Sequence, residues 1–222
     1  MMIPELSLLE TRVLGVLIEK ERTVPDSYPL TLNALVTGSN QKTSRDPIIN
    51  ATESEIQVAI DSLRSMSLVI ESSGGRVARY SHNFERVLQV PKQASAILAA
   101  LMLRGPQTAG ELRINCERLH SFADISSVEA FLQELAERPF GALVSELPRQ
   151  PGSRENRWMH LLSGAREVQQ SSASSSAPTS VDLGASELAT VKAKVARLEA
   201  EVSELKALIS KICSELGIRQ ES

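Results

Sequence analysis

Three histidines, two cysteines and a scatter of carboxylates are the side chains of this 222-residue chain that could do covalent or acid–base chemistry. His82, His120 and His160 stand far apart, and none lies in the HExxH spacing that puts two zinc ligands on one helical face. Cys116 and Cys213 form no CxxC pair, so neither a structural zinc site nor a redox motif is supported, and reduced thiols are expected. No GxSxG turn, Walker loop or GxGxxG segment is present. Asp26 and Asp46 could flank a cleft, but closeness in sequence carries no geometry. The expectation is therefore a protein with no catalytic residue, no metal and no cofactor, that is, not an enzyme.

The second chemistry open to these residues is phosphate and base contact. Net charge is −3, and Lys and Arg do not outnumber Asp and Glu in residues 1–90, 91–165 or 166–222. Any nucleic-acid site must therefore be a local patch rather than a global basic field. The candidates are Asn40, Gln41, Lys42 and Arg45 on a polar loop, Arg64 on the helix that follows it, Arg76 and Arg79 on one hairpin, and Arg149, Arg154 and Arg157 on another. Against them stand the two helices that would enter a major groove. One exposes Glu53, Glu55, Gln57 and Asp61 and the other Glu129, Gln133, Glu134 and Glu137, and phosphate repels such faces. The competing reading is that the hairpin arginines are solvated and the Asn-Gln-Lys loop pins its own backbone.

The elements that carry these residues follow from capping and periodicity. Ser7/Glu10, Thr52/Glu55, Thr108/Glu111 and Ser126/Glu129 each have the spacing of a capping box, in which two side chains satisfy two orphan N–H groups of a first helical turn. They predict helices over about 8–21, from Thr52 to Met66, over 108–115 and over 126–138. Pro29 is placed in the first turn of a further helix ending near Gly38, and 92–104 reads as another helix, stopped by Gly105-Pro106. Leu68-Val69-Ile70 and Arg76 to Tyr80 flank a Ser-Ser-Gly-Gly turn, and Leu143-Val144 and Trp158 to Leu162 flank a longer one, so two hairpins are expected.

Three helices and a hairpin thus occur twice. Arg79-Tyr80-Ser81-His82 matches Arg157-Trp158-Met159-His160 as Arg, aromatic, any residue, His, which supports an internal duplication. Aromatics make up only 3% of the chain, so the core must be aliphatic. Several longer segments are familiar. Glu10 to Gly15, Pro25 to Leu30, Asn33-Ala34-Leu35, Asn40 to Pro47, Arg104 to Thr108 with Gly110 to Arg113, Phe122-Ala123-Asp124 and Leu147 to Gly152 resemble the YceH family of bacterial proteins. The resemblance covers about residues 5–164. It implies a tandem winged-helix fold and no known activity.

The remainder reads from composition and heptads. Residues 166–184 include a serine-rich run with nothing to bury, expected to be a flexible linker. In 185–217, Leu188, Val195, Val202, Ile209 and Leu216 take position a, and Val191, Leu198, Leu205 and Ile212 take position d, of an unbroken heptad seam. In a parallel pair Glu187 meets Lys192, Lys194 meets Glu199 and Glu201 meets Lys206, all opposite in sign, so a parallel coiled-coil homodimer is expected. The whole chain reads as mainly α with small β-hairpins. Winged-helix domains are expected over 1–90 and 91–165, then the linker, then the coiled coil. No signal peptide or membrane span is read, and a cytoplasmic location is the default. Two functions fit: a dimeric winged-helix DNA-binding or regulatory protein contacting double-stranded DNA, or a protein-interaction scaffold using acidic winged-helix surfaces without DNA contact.

Overall fold

A computed structural model of the chain describes residues 5–72, 77–149, 153 and 155–164. Helix α1, Leu8–Thr23, opens on the expected box: Ser7 N–H donates to Glu10 Oε2 at 2.6 Å, and Glu10 N–H donates to Ser7 Oγ. A 3-10 turn, Pro25–Ser27, leads into strand β1, Leu30–Thr31. Helix α2, Leu32–Ser39, starts only after it, capped by Thr31, whose side chain accepts from Ala34 N–H. Pro29 is therefore not a first-turn helical residue. It precedes a strand, because Leu30 is drawn into pairing with the returning hairpin strand.

Helix α3, Glu53–Ser65, carries the full Thr52/Glu55 box and buries Ile56, Ala59, Ile60 and Leu63 at helical spacing. Strands β2, Val69–Ser72, and β3, Arg79–His82, complete an antiparallel sheet in the order β1-β3-β2. A short helix α4, Phe84–Leu88, follows, which the sequence pattern did not signal.

The second half repeats the plan: α5, Lys92–Arg104; α6, Ala109–Asn115; α7, Ile125–Ala136; then β4, Val144–Glu146, antiparallel to β5, Trp158–His160. The Thr108/Glu111 box forms on α6. The Ser126/Glu129 box does not. Asp124 is the cap of α7, accepting from Ser127 N–H at 2.7 Å, so the helix begins before Ser126 and the Ser126 side chain has no orphan donor to meet.

The two hairpins share one register. Val69 faces His82 as Val144 faces His160, and Glu71 faces Tyr80 as Glu146 faces Trp158. On the other side Leu30 faces Tyr80, and Gln107 forms a single bridge to Trp158. Each half thus adds a residue lying just before its second helix to the returning strand.

A single apolar cluster runs through both halves. Helix α5 is its axis: Ala94 to Leu103 are buried all round, where a surface helix would keep one polar face. Gly15 of α1 lets that helix approach α5, since a Cβ there would lie 2.8 Å from Leu103 Cγ. The expected linker and heptad seam, within residues 165–222, lie outside the described residues.

Candidate functional site

The Arg-aromatic-x-His segments place their arginines in the same way in both halves. Arg79 Nη1 donates to Pro29 O at 2.7 Å, and Arg157 Nη1 donates to Pro106 O at 2.7 Å. Each guanidinium ties a hairpin to the chain entering the second helix. Arg157 also pairs with Glu111 at 2.8 Å, the residue that completes the α6 capping box. The histidines of the same segments face inward. His82 Nε2 lies 2.9 Å from Glu21 Oε2, and its Nδ1 is sealed without a partner, as is Nδ1 of His160. Burial pushes the His160 imidazole down to about 4, which keeps it neutral.

The polar loop between α2 and α3 is held from below. Arg45 is buried; its Nη2 pairs with Glu19 of α1 at 2.6 Å, and its Nε donates to Gly38 O. Beside it, Arg12 is fully buried in α1 and donates to Ser39 O, at the end of α2, and to Pro47 O, midway along the loop. Desolvation, with the neighbouring charge of Arg45, brings the Arg12 guanidinium down to about 10, against a partial counterweight from Asp46. Asn40 closes the loop by a two-way bond with the Ala51 backbone, 2.8 Å in each direction. Arg45 and Asn40, expected as nucleic-acid contacts, are therefore internal clamps. The sequence reading did not single out Arg12, although its position, four residues before Val16 on the apolar side of α1, was the available signal.

The other candidates divide. Arg64 meets Asp61 at 3.2 Å and Glu71 at 2.8 Å, so its charge is balanced on its own surface. Gln41 is partly exposed and Lys42 exposed at the top of the loop. Arg149 is exposed and has an interaction of its own. Arg76 and Arg154 lie outside the described residues. Among the described candidates, Arg45 turns inward to α1, and Arg64, Arg79 and Arg157 are bound to carboxylates or carbonyls.

What the outer helix faces do present is carboxylate and aliphatic surface. On α3, Glu53, Glu55 and Asp61 are exposed around Val58, itself 69% exposed. On α7, Glu129, Gln133, Glu134 and Glu137 are exposed, with Ile125 at its start 45% exposed and Phe140 just beyond it 63% exposed. An open groove of about 610 Å³ lies against this half, lined by Ile125, Glu129, Glu146, Arg149, Glu155 and Trp158 among others.

Among the described residues, those suited to covalent chemistry are not gathered. Cys116 is buried, and desolvation pushes its thiol up to about 12, the opposite of nucleophile activation. His120 stacks edge-on against Phe122, with ring centroids 4.7 Å apart. Among the described residues no group of three or more His, Cys, Asp or Glu could hold a metal ion. Among them, too, no helix is long and apolar enough to cross a membrane.

Two helix–hairpin halves, each tied together by buried or bridging arginines and faced by acidic outer helices, are the frame in which any site must lie. The chain belongs to the bacterial family described as protein of unknown function, DUF480, whose model matches residues 6–153. It is 63% identical over 206 residues to a UPF0502 protein of Dechloromonas aromatica, covering 93% of this chain and 95% of the relative. It is 58% identical over 213 residues to one of Methylibium petroleiphilum (96% and 91%) and 54% identical over 214 residues to one of Burkholderia ambifaria (96% and 90%). These alignments are longer than residues 1–164, so the likeness extends into the segment after the second half.

Proposed function

We propose that this chain is a dimeric tandem winged-helix protein that docks other proteins on its acidic helix faces, without reading DNA. The winged-helix part rests on the order of three helices and a hairpin in each half, on the residue that each half adds to the hairpin before its second helix, and on the likeness of the sequence motifs to YceH proteins. The dimer part rests on the heptads of 185–217.

One observation favours docking over DNA contact. Arg45, Arg64, Arg79 and Arg157, which a phosphate backbone would need, are bound within the protein, while carboxylates and Val58 face outward from α3. A third helix of that kind repels a major groove and suits a partner with basic and apolar groups. The test is fluorescence anisotropy of a labelled random duplex, titrated with the full chain over rising salt. The expected result is no saturable binding at low salt. Binding that weakens steeply as salt rises, the mark of several phosphate contacts, overturns the docking reading in favour of DNA contact.

A further inference from the structure

A cleft of about 270 Å³ opens where α1 and the loop after α2 meet α5 and the segment following α6, and its lining is cationic. Lys20, Arg104 and Arg118 all border it, with the Thr43 and Ser44 side chains and Asn115 between them. Among the described residues Glu19 is the one carboxylate on the lining, and the buried Arg45 already meets it at 2.6 Å and 3.2 Å. Lys20 reaches the same carboxylate at 3.4 Å as a second, surplus cation. Glu117, next to Arg118 in the chain, accepts from Ser121 Oγ. Arg104 is oriented by one Nη2 donation to Ser44 Oγ at 2.8 Å, which leaves the rest of its fork available. Arg118 is exposed and makes no hydrogen bond or ion pair among the described residues.

We infer that this cleft between the two halves is a binding site for a small phosphate-bearing ligand, held by Lys20, Arg104 and Arg118. Three cations against one already balanced carboxylate favour a multiply charged anion, and Arg forks match phosphate oxygens in pairs. The hydroxyls of Thr43 and Ser44 add donors that suit a tetrahedral oxyanion. Ala100, Leu103 and Leu119 line the same cleft and exclude part of the water, which strengthens each charged contact. The volume falls just under the roughly 300 Å³ at which pockets for drug-sized ligands begin, so the ligand is small. The site stands apart from the outer faces of α3 and α7 and does not depend on the docking reading.

Isothermal titration of the full chain with inorganic pyrophosphate tests it. The expected result is saturable binding of one pyrophosphate per chain, with a dissociation constant below about 1 mM. Arg118→Glu, on an exposed side chain that the fold does not use, and Lys20→Ala should each weaken it by about tenfold or more. Arg86→Glu makes the same charge change on α4, away from the cleft lining, and should leave affinity unchanged once unaltered melting shows all variants folded. Absence of saturable binding overturns the inference. So does equal weakening by Arg118→Glu and Arg86→Glu, which would mean a global charge effect. A parallel titration with a short duplex separates the two phosphate sources: duplex binding lost in Arg118→Glu, with no pyrophosphate binding, would assign these cations to nucleic acid and overturn the small-ligand site.

Discussion

The Arg45 side chain is shut away from solvent, and Glu19 is what makes its burial tolerable. Removing one partner of a buried pair strands the other charge, which typically costs about 3–5 kcal/mol. Glu19 keeps some exposure and Gln retains one acceptor, so Glu19→Gln should destabilise the protein by about 2–3 kcal/mol in urea denaturation. The pH dependence follows from the same contact. Burial alone would raise the Glu19 pKa, but hydrogen bonds and charge from Arg45, joined by Lys20, outweigh it and hold the carboxyl below its ordinary value. A carboxylate held down in the folded state contributes stability at pH above its unfolded pKa and loses it as pH falls through the folded one. The wild type should therefore lose stability more steeply than Glu19→Gln on the acid side, and the gap between them should stay constant from mildly acidic to neutral pH. Parallel acid limbs would show that Glu19 does not carry this pair. The sequence could not separate this role from phosphate binding, because an arginine on a polar loop looks the same whether its fork points to solvent or to a helix beneath. Only the position of Arg12 within an apolar stripe hinted that this loop is anchored from inside.

Several helices were legible from local chemistry alone. Ser7, Thr52 and Thr108 cap as their spacing predicts, and the 92–104 pattern gives α5 with the same ends. The Ser126 box failed because Asp124, two residues upstream, is an equally good acceptor and captured the first turn. The strand at Leu30 was invisible because its partner lies about fifty residues away and a two-residue strand has no period to read. How closely elements approach was also hidden, and two glycines test it in opposite directions. In α1, Gly15→Ala gains helix propensity of about 1 kcal/mol. Its Cβ, however, would sit 2.8 Å from Leu103 Cγ, the branch point of that side chain, and 2.9 Å from its Cδ2 methyl, so rotating the methyl end alone does not relieve the clash. Overpacking of this kind costs about 1–3 kcal/mol, so a net loss near 1 kcal/mol is expected. In α6, Gly110 has nothing nearer than 3.8 Å, and Gly110→Ala should stabilise by a few tenths to about 1 kcal/mol. Urea midpoints of the two variants moving in the same direction would contradict this packing.

For the whole molecule, the sequence pattern places one helix–hairpin unit in 1–90 and another in 91–165, and a single apolar cluster includes residues of both. Apolar periodicity states which face of α1 or α5 is greasy but not what that face meets, so contact between the halves is not legible in it. Leu6 N–H donates to Leu162 O, Asp46 N–H donates to Leu103 O, Arg22 bridges Glu85 and Leu119 O, and Arg138 reaches Leu88 O, all around one apolar cluster. Shared burial of this kind makes the halves fold as a unit, because separating them would expose the apolar axis of α5 to water. The chain carries its own probes for the question. Both tyrosines, Tyr28 and Tyr80, lie in the first half, and Trp158, the single tryptophan, lies in the second. Near-ultraviolet tyrosine signal and tryptophan fluorescence should therefore trace one coincident urea transition. Gly15→Ala, at the junction of α1 and α5, should shift both traces by the same amount. A tyrosine transition displaced from the tryptophan transition, or a Gly15→Ala shift confined to one of them, would mean that each half holds its own core, and the cleft they enclose could then open without unfolding either.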